Sequence, residues 1–136
     1  MRHVCALLLL AFTLAGCSSS RDAVLARDNA AILEERKQWQ LQVEPRLKKI
    51  DREMDDLIAK ANTDPDVARM KAENRYYDRM TELQKQRTDT RQKYEAARKA
   101  QAREWNQLRS DAEKATDSIE TDWQKFLQDL HSAPGK

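Results

Sequence analysis

Apolar side chains recur three and four positions apart along most of this chain, and that spacing predicts helices. Val43, Leu47, Ile50, Met54, Leu57 and Ala61 keep the alternation for more than two heptads, forming a seam for a partner helix. Pro45 removes one hydrogen bond and crowds the carbonyl of Leu41, so a kink rather than a stop is expected there. Upstream, Asp22 can cap a helix carrying Ala23, Leu25, Ala26, Ala30, Ala31 and Leu33. The clearest turn is Asn62-Thr63-Asp64-Pro65-Asp66, with Asp64 suited to the N-cap and Pro65 to the first helical position. A second helix follows with Val67, Met70, Tyr77, Met80 and Leu83. It is polar over residues 84–93 and regains apolar positions at Tyr94, Ala97, Ala102, Trp105 and Leu108. Residues 33–42 lie equally far from the turn and are nearly as polar, which predicts an antiparallel hairpin with a tight tip, a loose waist and a packed base. Ser110 and Glu113 have capping-box spacing, and Ala112, Ala115, Ile119, Trp123, Phe126 and Leu130 mark a third, shorter helix reaching back to about residue 90.

Composition narrows the fold class. Glycine occurs only at Gly16 and Gly135, and Pro45 and Pro65 are the only prolines before Pro134. The body is otherwise rich in the strong helix formers Ala, Leu, Gln, Glu, Lys and Arg. The expected fold is all-α: a long antiparallel helical hairpin with a shorter third helix packed at its base, an elongated three-helix bundle over residues 22–131, then a flexible tail at 132–136. Charge supports the fold-back, since residues 84–103 sum to +5 and residues 110–130 to −4. Surface ion pairs contribute at most about 1 kcal/mol each, so the match selects orientation rather than explaining stability. The same match works between chains, and an extended dimer with a straight second helix is the alternative architecture.

The N-terminus carries a different signal. Arg2 and His3 precede an apolar run over residues 4–13, the layout of a secretory signal. The run is too short to span a bilayer, which needs about 20 apolar residues. Leu14, Ala15, Gly16 and Cys17 then resemble the lipobox of bacterial lipoprotein precursors, over residues 1–17 only. The resemblance implies a signal peptide at 1–16 recognised through Leu14, Ala15 and Gly16, and cleavage between Gly16 and Cys17. It also implies a diacylglyceryl group on the Cys17 thiol and an acylated (palmitate-type) amine. Residues 17–21 would be a lipidated, short polar tether. Two or three acyl chains, at about 0.8 kcal/mol per buried CH₂, anchor a protein stably. In Gram-negative lipoproteins a serine after the cysteine implies the outer membrane, facing the periplasm, rather than the inner one. An ordinary secretory signal with an incidental Cys17 is the competing reading.

That reading removes several chemistries. Cys5 leaves with the signal and Cys17 is taken by lipid, so no thiol remains for disulfides, zinc sites or nucleophilic catalysis. Loss of Arg2 leaves a net charge of +1, which gives no support for nucleic acid as a partner. His131 is then the only histidine, no nucleophile elbow or glycine-rich turn is present, and Met54, Met70 and Met80 lack cysteine or histidine companions. No enzyme activity, no metal and no cofactor beyond the covalent lipid are expected. The basic run Lys85, Arg87, Arg91, Lys93, Arg98, Lys99 and Arg103 is either a surface for anionic lipid or glycan, or a solvated face complemented by the acidic third helix. Tyr76 and Tyr77 point about 100° apart on a helix, so one faces outward near the tip as a candidate contact. Lys136, on a Ser-Ala-Pro-Gly lead, loosely resembles the murein lipoprotein family, which implies covalent attachment to peptidoglycan. This body differs in its three tryptophans and its reversal at Pro65. The expected role is a lipid-anchored envelope protein acting as a structural or accessory interaction module. Its expected partners are the membrane, another envelope protein, peptidoglycan or a second copy.

Overall fold

The computed structural model describes residues 16–132. Residues 1–15, among them Leu14 and Ala15 of the signal segment, and Lys136, in the tail 133–136, lie outside the described residues. All regular structure among the described residues is helical: α1 (Gly16–Lys60), α2 (Pro65–Ala72), α3 (Tyr76–Arg98) and α4 (Ala102–His131). The all-α bundle expected from the sequence is the fold. α1 runs through Pro45 without ending and, at 1.5 Å per residue, its 45 residues extend roughly 66 Å.

The directions of the helices follow from their cross-links. Glu35 meets Arg109, Arg46 meets Asp117 and Glu120, and Glu53 accepts from the Trp123 indole, so α1 and α4 run parallel. Thr90 meets Ala115, Gln86 meets Ser118 and Arg79 meets Asp129, so α3 is antiparallel to α4. α3 packs far more extensively on α4 than on α1.

Two apolar clusters fill the bundle. At the tip, Ile50, Met54 and Leu57 of α1 meet Val67, Met70, Tyr76, Met80, Leu83, Ile119, Trp123, Phe126 and Leu130. At the base, Trp39, Val43 and Leu47 meet Tyr94, Ala97, Ala100, Trp105 and Ala112. Between them lie the two buried threonines, Thr90 and Thr116. Each hydroxyl bonds to the carbonyl one turn back, Gln86 and Ala112, at 2.7 Å in both cases, and Thr90 also donates to Ala115 at 3.4 Å. These back-bonds satisfy the hydroxyls within the bundle.

Several boundaries differ from the sequence expectation. Helix starts at Gly16, so residues 17–21 are helical rather than a tether; extending an existing helix costs little per residue. The expected second helix is divided. Asp64 caps α2 through the amides of Asp66 (2.8 Å) and Val67 (3.2 Å), but α2 ends after two turns. Asn74 takes a left-handed φ of 57°, the Arg75 amide bonds to the Met70 carbonyl and the Asn74 amide to that of Lys71. That is a Schellman closure with asparagine in the usual glycine place.

The next reversal is at residues 99–101, ahead of the expected Ser110, which lies inside α4. Burial of Trp105 on the α4 stripe overrides the capping-box signal. Because α2 and its turn take up residues 65–75, the polar stretch of α3 lies beside residues 51–55 of α1 rather than 33–42. The waist is closed by the threonine pair rather than loose. α4 is shorter than α1 but is not confined to the base: Trp123, Phe126 and Leu130 carry it into the tip.

Phe126→Ala is expected to lower unfolding free energy by about 3–5 kcal/mol, as for a fully buried aromatic. Leu41→Ala, at an exposed site, should change it by no more than about 0.5 kcal/mol. Urea unfolding of the two variants measures both values; equal losses would mean the tip cluster is not a core.

Candidate functional site

The base of the bundle is where α1 parts from the other helices. Ala97 and Ala100, both buried, are small enough for the chain to turn beneath Trp39 and Trp105. Arg36 lies on the same stripe of α1 as Ile32 and Trp39, and its Nη2 donates to the Ala100 carbonyl, tying the turn to α1. Its guanidinium lies 5.6 Å from the Trp105 ring centre, and that of Arg109 lies 5.6 Å from the same ring, so two cations flank one indole. Arg109 also pairs with Glu35 at 2.5 Å. Trp39 stacks on Tyr94 at 5.3 Å and meets Trp105 edge-on at 5.4 Å. The indole N–H groups of Trp39 and Trp105 and the Nε of Arg36 are buried without a hydrogen-bond partner among the described residues. An open groove of about 660 Å³ runs past Ile32, Leu33, Arg36, Ala100 and Arg103 at this level. Asn29 also lines the groove, and it is exposed, as are the other described side chains of α1 before Ile32: Arg21, Ala23, Arg27, Ala30 and Ala31. The backbone of α1 continues helical to Gly16 and Cys17.

The basic run of the sequence is divided by the fold. Arg87 pairs with Asp55 at 2.8 Å, and Arg91 with Asp51, both on α1. Lys93 pairs with Asp89 (2.9 Å) and Arg98 with Glu95 (2.7 Å) within α3. Lys85, Lys99 and Arg103 are exposed and make no ion pair among the described residues. The charge match with α4 is corrected accordingly: Asp117 (2.5 Å) and Glu120 (2.6 Å) pair with Arg46 of α1. These carboxylates raise the Arg46 pKa, Glu120 contributing most.

At the tip, Tyr76 is buried and Tyr77 is 64% exposed, the two rings meeting edge-on at 5.4 Å. The Lys71 ammonium stands 5.3 Å from the first ring centre and 5.5 Å from the second. Arg69 of α2 donates to the carbonyls of Asp129, Leu130 and Ser132, closing the C-terminal end of α4 beside the same cluster. His131 Nδ1 lies 3.2 Å from Asp66. The end of α4 is therefore at the tip, opposite the Cys17 end of α1. Among the described residues no group of three or more His, Cys, Asp or Glu side chains is placed to hold a metal, and no helix is long and apolar enough to cross a membrane.

Sequence reading did not identify Arg36 and Arg69, the arginines that tie the α3–α4 turn and the α4 terminus to other helices. A signal for Arg36 was present: a charge on the stripe between Ile32 and Trp39. The chain matches no family model, no curated protein and no solved structure.

Burial pushes the Tyr94 and Tyr76 phenols above their ordinary pKa of 10.0, helped by Glu44 for the first and by Tyr77 and Asp64 for the second. The folded chain thus holds protons that the unfolded chain releases, so their stabilising contribution is full below pH 10 and declines as pH rises above it. The melting temperature is expected to fall more steeply above that pH in the parent than in a Tyr76→Phe, Tyr94→Phe double variant. Identical pH profiles would refute this assignment.

Proposed function

We propose that this is a lipid-anchored cell-envelope protein that works as a structural or protein-interaction module. The observation that carries the reading is Leu14-Ala15-Gly16-Cys17, a lipobox placed where α1 begins. From Cys17 the helix rises about 22 Å to the level of Ile32, which packs against the base cluster. Acyl chains on Cys17 would hold the base toward the membrane and confine the protein to two dimensions, raising its effective concentration toward membrane-bound partners. The tip, with exposed Tyr77, would be the surface presented furthest from the bilayer. The serine after Cys17 supports the outer membrane, facing the periplasm, as the location.

The placement of Cys17 and Ser132 at opposite ends of the bundle favours a second reading, a link to peptidoglycan through Lys136. Residue 132 lies at the tip, held by Arg69, while Cys17 lies at the far end of α1, so that such a link would use the full length of the bundle as a spacer.

Cells fed labelled palmitate should incorporate it into the parent chain, and the mature mass should begin at Cys17; Cys17→Ala should carry no label and retain residues 1–16. An unlabelled parent, or label that persists in the variant, would refute the anchor. For the second reading, muramidase digestion should release parent protein bearing a wall fragment and Lys136→Ala protein bearing none. Complete extraction of the parent by detergent without digestion would refute it.

A further inference from the structure

Local sequence and fold disagree most sharply at the α3–α4 turn. Residues 98–103 read Arg-Lys-Ala-Gln-Ala-Arg, all strong helix formers with no glycine or proline. The turn needs no left-handed residue: Lys99, at φ −101° and ψ 1°, lies in the bridge region, and Gln101 is extended at φ −76° and ψ 162°. α4 starts without a side-chain cap, and its backbone bonds begin with the Glu104 and Trp105 amides on the Gln101 carbonyl, leaving the amides of Ala102 and Arg103 without a partner in the helix. The turn is held from elsewhere, through Arg36 on the Ala100 carbonyl and burial of Trp105. The turns flanking α2 are different, because Asp64, Pro65 and Asn74 encode them locally.

A turn encoded only by tertiary contacts stays closed just as long as α4 is docked on its own chain. Straightened, α3 and α4 form one helix over residues 76–131 and satisfy the amides left open at the start of α4. The groove vacated between α1 and α3 then fits one partner fully, the α4 of an identical chain. The acidic residues of that α4 meet Arg46, its Trp123 indole meets Glu53, and its C-terminal carbonyls meet Arg69, as they do within one chain. Apart from the Arg36 bond to the Ala100 carbonyl, which lies in the hinge itself, the contacts of α4 given up within one chain are restored between two, and the exchange closes as a twofold dimer. We infer that this chain binds a second copy of itself by exchanging α4, with residues 99–101 as the hinge. The exchange does not depend on the lipid anchor.

The test uses the full chain in detergent, unfolded and refolded at low and at high micromolar concentration, with mass measured by light scattering. The dimer fraction should rise with refolding concentration and persist on dilution. Gln101→Pro suits the observed φ but removes a hydrogen bond from a continuous helix and crowds its preceding turn. It should keep the helix content and lower the dimer's association constant by at least about a hundredfold. Inserting two glycines after Ala100 gives an independent check, because a flexible loop lets α4 close on its own chain. A parent that stays monomeric after refolding at high concentration overturns the proposal. So does a dimer that survives both hinge changes, which would place the contact on another face, such as exposed Leu33 and Leu41 of α1.

Discussion

Burial of one face of α4 is the constraint on which the rest of the molecule depends. Trp105, Ala112, Thr116, Ile119, Trp123, Phe126 and Leu130 form a buried stripe, bridged between Trp105 and Ala112 by half-buried Leu108, that reaches from the base cluster to the tip cluster. α3 has no such apolar bridge, since only polar residues lie between its buried Leu83 and Thr90. α1 and α3 alone would meet across a polar middle. Full burial of each large apolar side chain of α4 is worth about 1.5–3 kcal/mol, which makes this helix the main source of cohesion. The position of the α3–α4 turn is a consequence: it lies where it lets Trp105 enter the base, even though the local sequence favours continued helix.

With no glycine from residue 17 to 134, the chain closes its ends by other means. Arginines reach across to carbonyl oxygens that a helix end or turn leaves open: Arg36 serves Ala100, and Arg69 serves Asp129, Leu130 and Ser132. The second placement also brings a cation to the negative end of the α4 dipole. Such long-range closures tie turn geometry to tertiary structure. A bundle built this way holds locally encoded turns at the tip and a tertiary-encoded turn at the base.

That division explains what could be read in the sequence. The class of fold, the α1 seam, the Asp64-Pro65 start and the stripe of α4 were legible because each is a local or periodic pattern. Asn74 was legible in principle, as asparagine is the residue after glycine most at ease with positive φ, but one residue amid helix formers is a weak signal. The turn at 99–101 was not legible, because nothing in those residues prefers a break; it arises from contacts with Arg36 and Trp105, distant in sequence. The wrong hairpin register came from the missed α2 break, since eleven residues used before α3 displace every later pairing. Cys17 stands apart: its proposed role rests on the four lipobox residues and not on any packing.

If the anchor is as proposed, the N-terminal part of α1 transmits height and not direction. One residue added to a continuous helix lifts the bundle above it by about 1.5 Å and turns it by about 100°. Acyl chains joined to Cys17 through a flexible glyceryl thioether rotate freely, so the turn is lost while the lift remains. A stiff, glycine-free helix is therefore suited to fixing how far Trp39 and the base stand from the bilayer, and hence the level at which Tyr77 meets its surroundings. It leaves the bundle free to spin about the α1 axis. A partner that needs a fixed distance but no fixed azimuth, such as a layer parallel to the membrane or another anchored copy, is what this geometry serves.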